Sequence, residues 1–114
     1  MHFLKQLLAV AAIAVSTMAG AEPGISDTKI TIGMSGPFSG TNGAYGVDMR
    51  TVIQTYFDQV NKTGGVNGRR LELVALDDGY ETDRTVANTK ALIDEKNAFA
   101  LLAFYGSSPT TEAM

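Results

Sequence analysis

The sequence predicts an α/β fold built on a parallel sheet. Three observations predict it. Apolar stretches of strand length recur at 29–35, 70–77 and 98–105. Two longer segments with apolar residues at helical spacing lie between them. Each junction from strand to helix is rich in Gly, Ser, Thr or Asp. The order strand, helix, strand, helix, strand, joined by right-handed crossovers, gives three parallel strands with helices packed against them.

The elements follow in order. Residues 1–21 begin with His2 and Lys5, continue through an apolar run from Leu7 to Val15, and end in small residues with Ala19 and Ala21 in an Ala-x-Ala arrangement. That pattern is a cleavable export signal, with cleavage expected after Ala21. The run is too short for a membrane anchor, which needs about 20 apolar residues. No Cys follows it to carry a lipid. Residues 22–28 contain Pro23 and Gly24 and are expected to form a loose arm. Lys29 to Ser35 alternates, with Ile30, Ile32 and Met34 on one side, and is the first strand.

A Gly-rich turn is expected over 36–46. The helix after it carries Met49, Val52, Ile53, Tyr56, Phe57 and Val60 as its buried stripe. Asp48 near its start and Lys62 near its end suit the helix dipole. Gly64 and Gly65 stop it, and Asn67-Gly68 is a tight turn. Arg70 to Asp77 is a near-continuous apolar strand of the kind covered on both faces. Thr82 or Asp83 is expected to cap a second helix running to about Lys96, with Val86, Thr89 and Ile93 inward and Leu92 at the edge. Ala98 to Tyr105 is the third strand. Gly106 to Thr110 is expected to be a loop, and Thr111 to Met114 to begin a further element.

Composition excludes several kinds of chemistry. With 45% apolar and 18% charged residues the chain is globular rather than disordered. Residues 22–114 carry all 12 acidic side chains and all but one of the 9 basic ones, a net charge of −4. An acidic body with only Arg69-Arg70 as an adjacent basic pair is not a nucleic-acid surface. There is no Cys, hence no disulfide, thiolate zinc site or thiol nucleophile. The one His is His2, inside the export signal, so no Ser-His triad is available.

In open parallel sheets, ligands sit beyond the carboxyl ends of the strands. Three loops qualify: 36–46, 77–81 and 106–110. The first and third place small and hydroxyl residues before helix starts, where free N–H groups attract an anion. Ser107, Ser108 and Thr110 add hydroxyls, and Tyr45 adds a flat ring with a polar tip. These four are the candidate ligand-binding residues, for a small polar or zwitterionic solute. Each also has a structural use, as helix cap or packing. A nucleotide-binding enzyme is a competing reading, because Asp77 ends the second strand; but no clean Gly-x-Gly-x-x-Gly or phosphate loop is present. Asp77-Asp78 offers too few ligands for a metal; one is expected to cap the turn and the other to be solvated.

The stretch Lys29–Gly40, then Ala44-Tyr45-Gly46, then Gly64–Arg69, then Asp77-Asp78, then Gly106-Ser107-Ser108, together resemble the type I periplasmic solute-binding proteins. The nearest branch is the Leu/Ile/Val-binding group that serves ATP-driven importers. The resemblance covers 29–114. It implies a two-lobed protein of which 29–114 is an incomplete first lobe, with only the opening β-α-β-α-β part. It implies that Tyr45 and Ser107 face the solute, an amino acid of the branched-chain type or a similar small carboxylate. It also implies a periplasmic location, an inner-membrane permease as partner, a monomer when full length, and neither catalysis nor a cofactor. A sensor domain of a receptor shares the fold and is the alternative.

Overall fold

The computed structural model describes residues 22–114, so the expected export signal lies outside the described residues. The elements are β1 (Lys29–Gly36), α1 (Gly43–Lys62), β2 (Arg70–Asp77), α2 (Thr82–Asp94), β3 (Ala100–Leu101) and α3 (Ser107–Ala113). β1 pairs parallel with β2 and with β3, and the strand order is β2-β1-β3. β1 and β2 pair in full register from Lys29 opposite Arg70 to Gly36 opposite Asp77. The order reverses after β2, so right-handed crossovers set α1 and α2 on opposite faces of the sheet. The reversal also makes a switch point between β1 and β3, the place beyond the strand ends where open α/β sheets bind their ligands.

The core is centred on β1. Met34 and Leu92 are fully buried and Phe57 is nearly so. Gly33 lets α2 approach: a Cβ there would stand 3.1 Å from Leu92 Cδ2. The two long strands run to the ends expected, within one residue. α1 stops at Lys62, and Gly65 N–H donates to the Val60 carbonyl at 2.9 Å to close the end.

Several expectations are corrected. The arm 22–28 is tied down rather than loose: Ile25 bridges to Ile30, Thr31 N–H donates to the Gly24 carbonyl at 2.8 Å, and Arg69 Nε donates to the Ser26 carbonyl at 2.7 Å. α1 begins at Gly43, so its first turn lies inside the expected turn region and Asp48 lies beyond that first turn. Val52 and Tyr56 belong to the expected buried stripe but are 68% and 62% exposed. Only the narrower stripe through Gly43, Gly46 and Phe57 is buried, with Gly43 and Gly46 against the loop after β1. α2 is capped at Glu81, not at Thr82 or Asp83, and ends at Asp94.

The inward face of α2 is Thr85, Thr89 and Leu92, while Ile93 is 51% exposed. Threonine can be buried here because each hydroxyl donates to a carbonyl one turn back: Thr85 to Glu81 at 3.1 Å and Thr89 to Thr85 at 2.8 Å. The third strand is only Ala100–Leu101. Single ladder bonds extend it at each end, Phe99 N–H to Thr31 and Leu102 N–H to Gly33, both at 2.8 Å. Ala103 then takes a φ of +59°, which turns the chain out of the sheet. The expected loop 106–110 is largely helix, since α3 starts at Ser107.

Candidate functional site

β2 ends in two carboxylates that organise the carboxyl edge of the sheet. Asp78 is 1% exposed. Its Oδ2 accepts from the Ser35 hydroxyl at 2.7 Å and its Oδ1 from the Tyr80 N–H at 2.8 Å. Asn88 on α2 donates to Ser35 Oγ and to the Asp77 carbonyl, each at 3.1 Å. β1, the turn after β2, and α2 are therefore joined beneath the edge by buried side chains.

Asp77 acts one layer further out. Its Oδ1 accepts from Phe38 N–H and Gly79 N–H, both at 2.9 Å, and its Oδ2 from the Ser39 hydroxyl at 2.6 Å. It thus clamps the loop after β1 to the loop after β2. Arg84 donates to the Asp77 carbonyl at 3.0 Å and lies 3.9 Å from Oδ2. Neither carboxylate is simply solvated, as was expected of one of them; both cap turns and bind neighbouring strands or loops.

Burial pushes the Asp77 carboxyl up, but the Ser39 hydroxyl, the Phe38 and Gly79 N–H groups and Arg84 together outweigh it and hold it below its ordinary value. A carboxyl depressed on folding stabilises the fold above its unfolded pKa of about 3.9, and that contribution is lost as pH falls through the lower folded value. The urea midpoint is therefore expected to drop as pH falls from about 5 to about 2, and Asp77→Asn to flatten part of that drop. Equal acid slopes in both proteins would sink this account.

Above the clamp stand three tyrosines from three segments. Tyr45 in the first turn of α1 stacks on Tyr105 with centroids 5.5 Å apart and planes at 13°. Tyr80, from the loop after β2, meets Tyr105 at 5.7 Å and 55°. Gly106, next to Tyr105, has no room for a side chain: a Cβ would stand 2.6 Å from Tyr80 Cε2. The Tyr45–Tyr105 stack spans the switch point, since Tyr45 follows β1 and Tyr105 follows β3.

The expected site residues divide. Tyr45 joins the stack, and Ser107 and Ser108 open α3 directly after Tyr105 and Gly106, both exposed. Ser108 Oγ lies 3.5 Å from Thr82 Oγ1, linking the starts of α3 and α2. Thr110 stands apart. It is half-buried and lines an apolar groove of about 440 Å³ with Thr89, Leu101 and Phe104. Tyr80, Tyr105 and the Asp77 clamp are the residues that sequence reasoning missed. Asp77 was visible as the end of β2; nothing local marks the two tyrosines as neighbours of Tyr45.

The loop after β1, the Ser107-Ser108 start of α3 and an aromatic stack across the switch point thus share the carboxyl edge of the sheet. A family model described as periplasmic binding protein matches residues 29–114. The chain belongs to the periplasmic binding protein family. An amino acid binding protein of Pseudomonas aeruginosa is 31% identical over 105 residues, covering 91% of this chain and 28% of that one. A possible leucine/isoleucine/valine-binding protein from Rhodopirellula baltica superposes with a TM-score of 0.72 at 32% identity, over 83% of this chain and 25% of that one. The branched-chain amino acid transporter substrate binding protein of Streptococcus pneumoniae, solved with isoleucine, gives 0.72 at 29% identity, over 75% and 25%. The chain thus spans about a quarter of the length of these relatives.

Proposed function

We propose that this periplasmic binding protein chain forms part of the first lobe of a two-lobed solute receptor. Its solute is an amino acid of the branched-chain type or a similar small carboxylate. The export signal, cleaved after Ala21, delivers it to the periplasm, where it passes the solute to an inner-membrane permease of an ATP-driven importer. It binds the solute without transforming it. The observation that carries this reading is the meeting of Tyr45, Tyr105 and the Ser107-Ser108 start of α3 at the switch point. The names of the amino acid binding relatives support the solute class.

The mechanism follows from the edge being open. Ser107 and Ser108 are exposed hydroxyl donors for a carboxylate, and Tyr45 supplies an apolar face for the rest of the solute. One lobe offers only half of a binding site. A solute touching both lobes favours the closed form by its extra contacts there, and the permease reads that form. Isothermal titration of the two-lobed protein against amino acids and small carboxylates tests the reading. Binding by at least one of them is expected, and Ser107→Ala is expected to weaken it roughly tenfold, the loss of a hydrogen bond to a charged group. Silence across the whole panel would overturn the proposal.

A further inference from the structure

The solute reading gives Tyr80 no role and Tyr105 none beyond its stack on Tyr45. We infer that Tyr45, Tyr105 and Tyr80 form an aromatic platform that selects solutes with a flat aromatic body over aliphatic ones of the same charge. This rests on the reading of the carboxyl edge as the solute surface and narrows its solute class to aromatic carboxylates and aromatic amino acids.

The platform is built rather than incidental. Three rings converge from three segments on the side of the sheet where a ligand belongs. Two local costs are accepted to hold it together. Tyr80 sits at a φ of +68°, a backbone region that side chains other than glycine rarely occupy. Position 106 must be glycine for Tyr80 to reach Tyr105. The clamp at Asp77 and the bond from Tyr80 N–H to Asp78 fix the loop that carries Tyr80.

The rings are also incompletely covered. Tyr45 is 58% exposed and Tyr80 42% exposed, while Tyr105 between them is half-buried. Tyr105 stacks on one face of the Tyr45 ring, and more than half of the Tyr45 surface stays exposed. A clustered aromatic surface open to water marks a binding site. The chemistry that gains most from an open, oriented aromatic face is another ring, because stacking adds to the area buried. A carboxylate on that ring meets the hydroxyls of Ser107 and Ser108 on the segment that follows Tyr105.

The test is a selectivity measurement on the two-lobed protein. Isothermal titration compares phenylalanine with leucine and phenylacetate with isovalerate. The ring-bearing member of each pair is expected to bind roughly three- to tenfold tighter, the range that aromatic pairing adds beyond burial. Tyr45→Ala, at an exposed position, and Tyr105→Leu are each expected to abolish the preference. Aliphatic solutes binding as tightly as, or tighter than, their aromatic partners would overturn the platform and leave the solute-receptor reading standing. A preference that survives Tyr45→Ala would overturn it too. No binding by any of the four would overturn the platform, and the solute-receptor reading would fall with it only if the whole panel of amino acids and small carboxylates were silent too.

Discussion

Gly46→Ala is expected to destabilise the protein by about 3 kcal/mol, near the top of the range for overpacking a closed site. Gly46 is buried in the first turn of α1, facing the loop after β1. A Cβ there would collide with the Pro37 carbonyl, and the Pro37 carbonyl carbon would lie 2.6 Å away. The obstacle is backbone, so no rotamer change relieves it. Pro37 is itself fully buried, and the next residue is held by the Asp77 clamp. α1 must therefore move off the sheet, carrying Tyr45 with it. Gly40→Ala is the control. Gly40 has a φ of +74° but nothing within 4 Å of its added Cβ, so only the left-handed backbone penalises alanine, by about 1–2 kcal/mol. Urea unfolding of both variants separates contact from conformation. Equal losses would show that the approach of α1 to Pro37 is not what sets the position of the helix.

That close approach explains part of what could be read from the sequence. β1 was legible from its alternation, and β2 from a near-continuous apolar run bounded by clear turn chemistry, Asn67-Gly68 at one end and Asp77 and Gly79 at the other. The end of α1 was legible from Gly64 and Gly65. Its beginning was not, because Gly43 and Gly46 look like turn residues yet are the places where the helix touches the loop before it. The inward face of α2 was misread for a related reason. Hydropathy ranks Ile93 above Thr85, but a threonine whose hydroxyl is satisfied within its own helix can be buried, and packing against β1 favours the slimmer side chain.

The third strand was overextended because the apolar run 98–105 carries no glycine to mark the break at Ala103. The start of α3 could have been found, since a proline in the first turn, here Pro109, is a recognised sign of a helix beginning. At the carboxyl edge, Tyr45, Ser107 and Ser108 were chosen by position, by their own polar groups and, for Tyr45 and Ser107, by the family resemblance. Their relation to Tyr80 and Tyr105 depends on contacts between distant segments, which no local pattern encodes. Thr110 was grouped with the serines because it was placed on a loop. On a helix it falls on the side of the apolar groove.

Asp78→Ala is expected to cost about 3 kcal/mol, since it removes two hydrogen bonds and strands their donors where water has little access. The backbone bonds of residue 78 survive the change: its N–H still reaches the Gly36 carbonyl and its carbonyl still accepts from Glu81 N–H, both at 2.9 Å. What is lost belongs to the side chain. Ser35, fully buried, keeps the bond from Asn88 but has no acceptor for its own proton. Tyr80 N–H is released, and with it the loop that presents the Tyr80 ring to Tyr105. The same substitution should therefore reduce both the unfolding midpoint and aromatic selectivity. Asp78→Asn separates these effects, because an amide oxygen can still accept from Tyr80 N–H while the amide nitrogen confronts Ser35. It is expected to keep selectivity and lose about 1 kcal/mol of stability. An Asp78→Ala protein with native stability and native selectivity would mean that the turn after β2 holds its shape through its backbone alone, and that the buried carboxylate plays no part in building the edge.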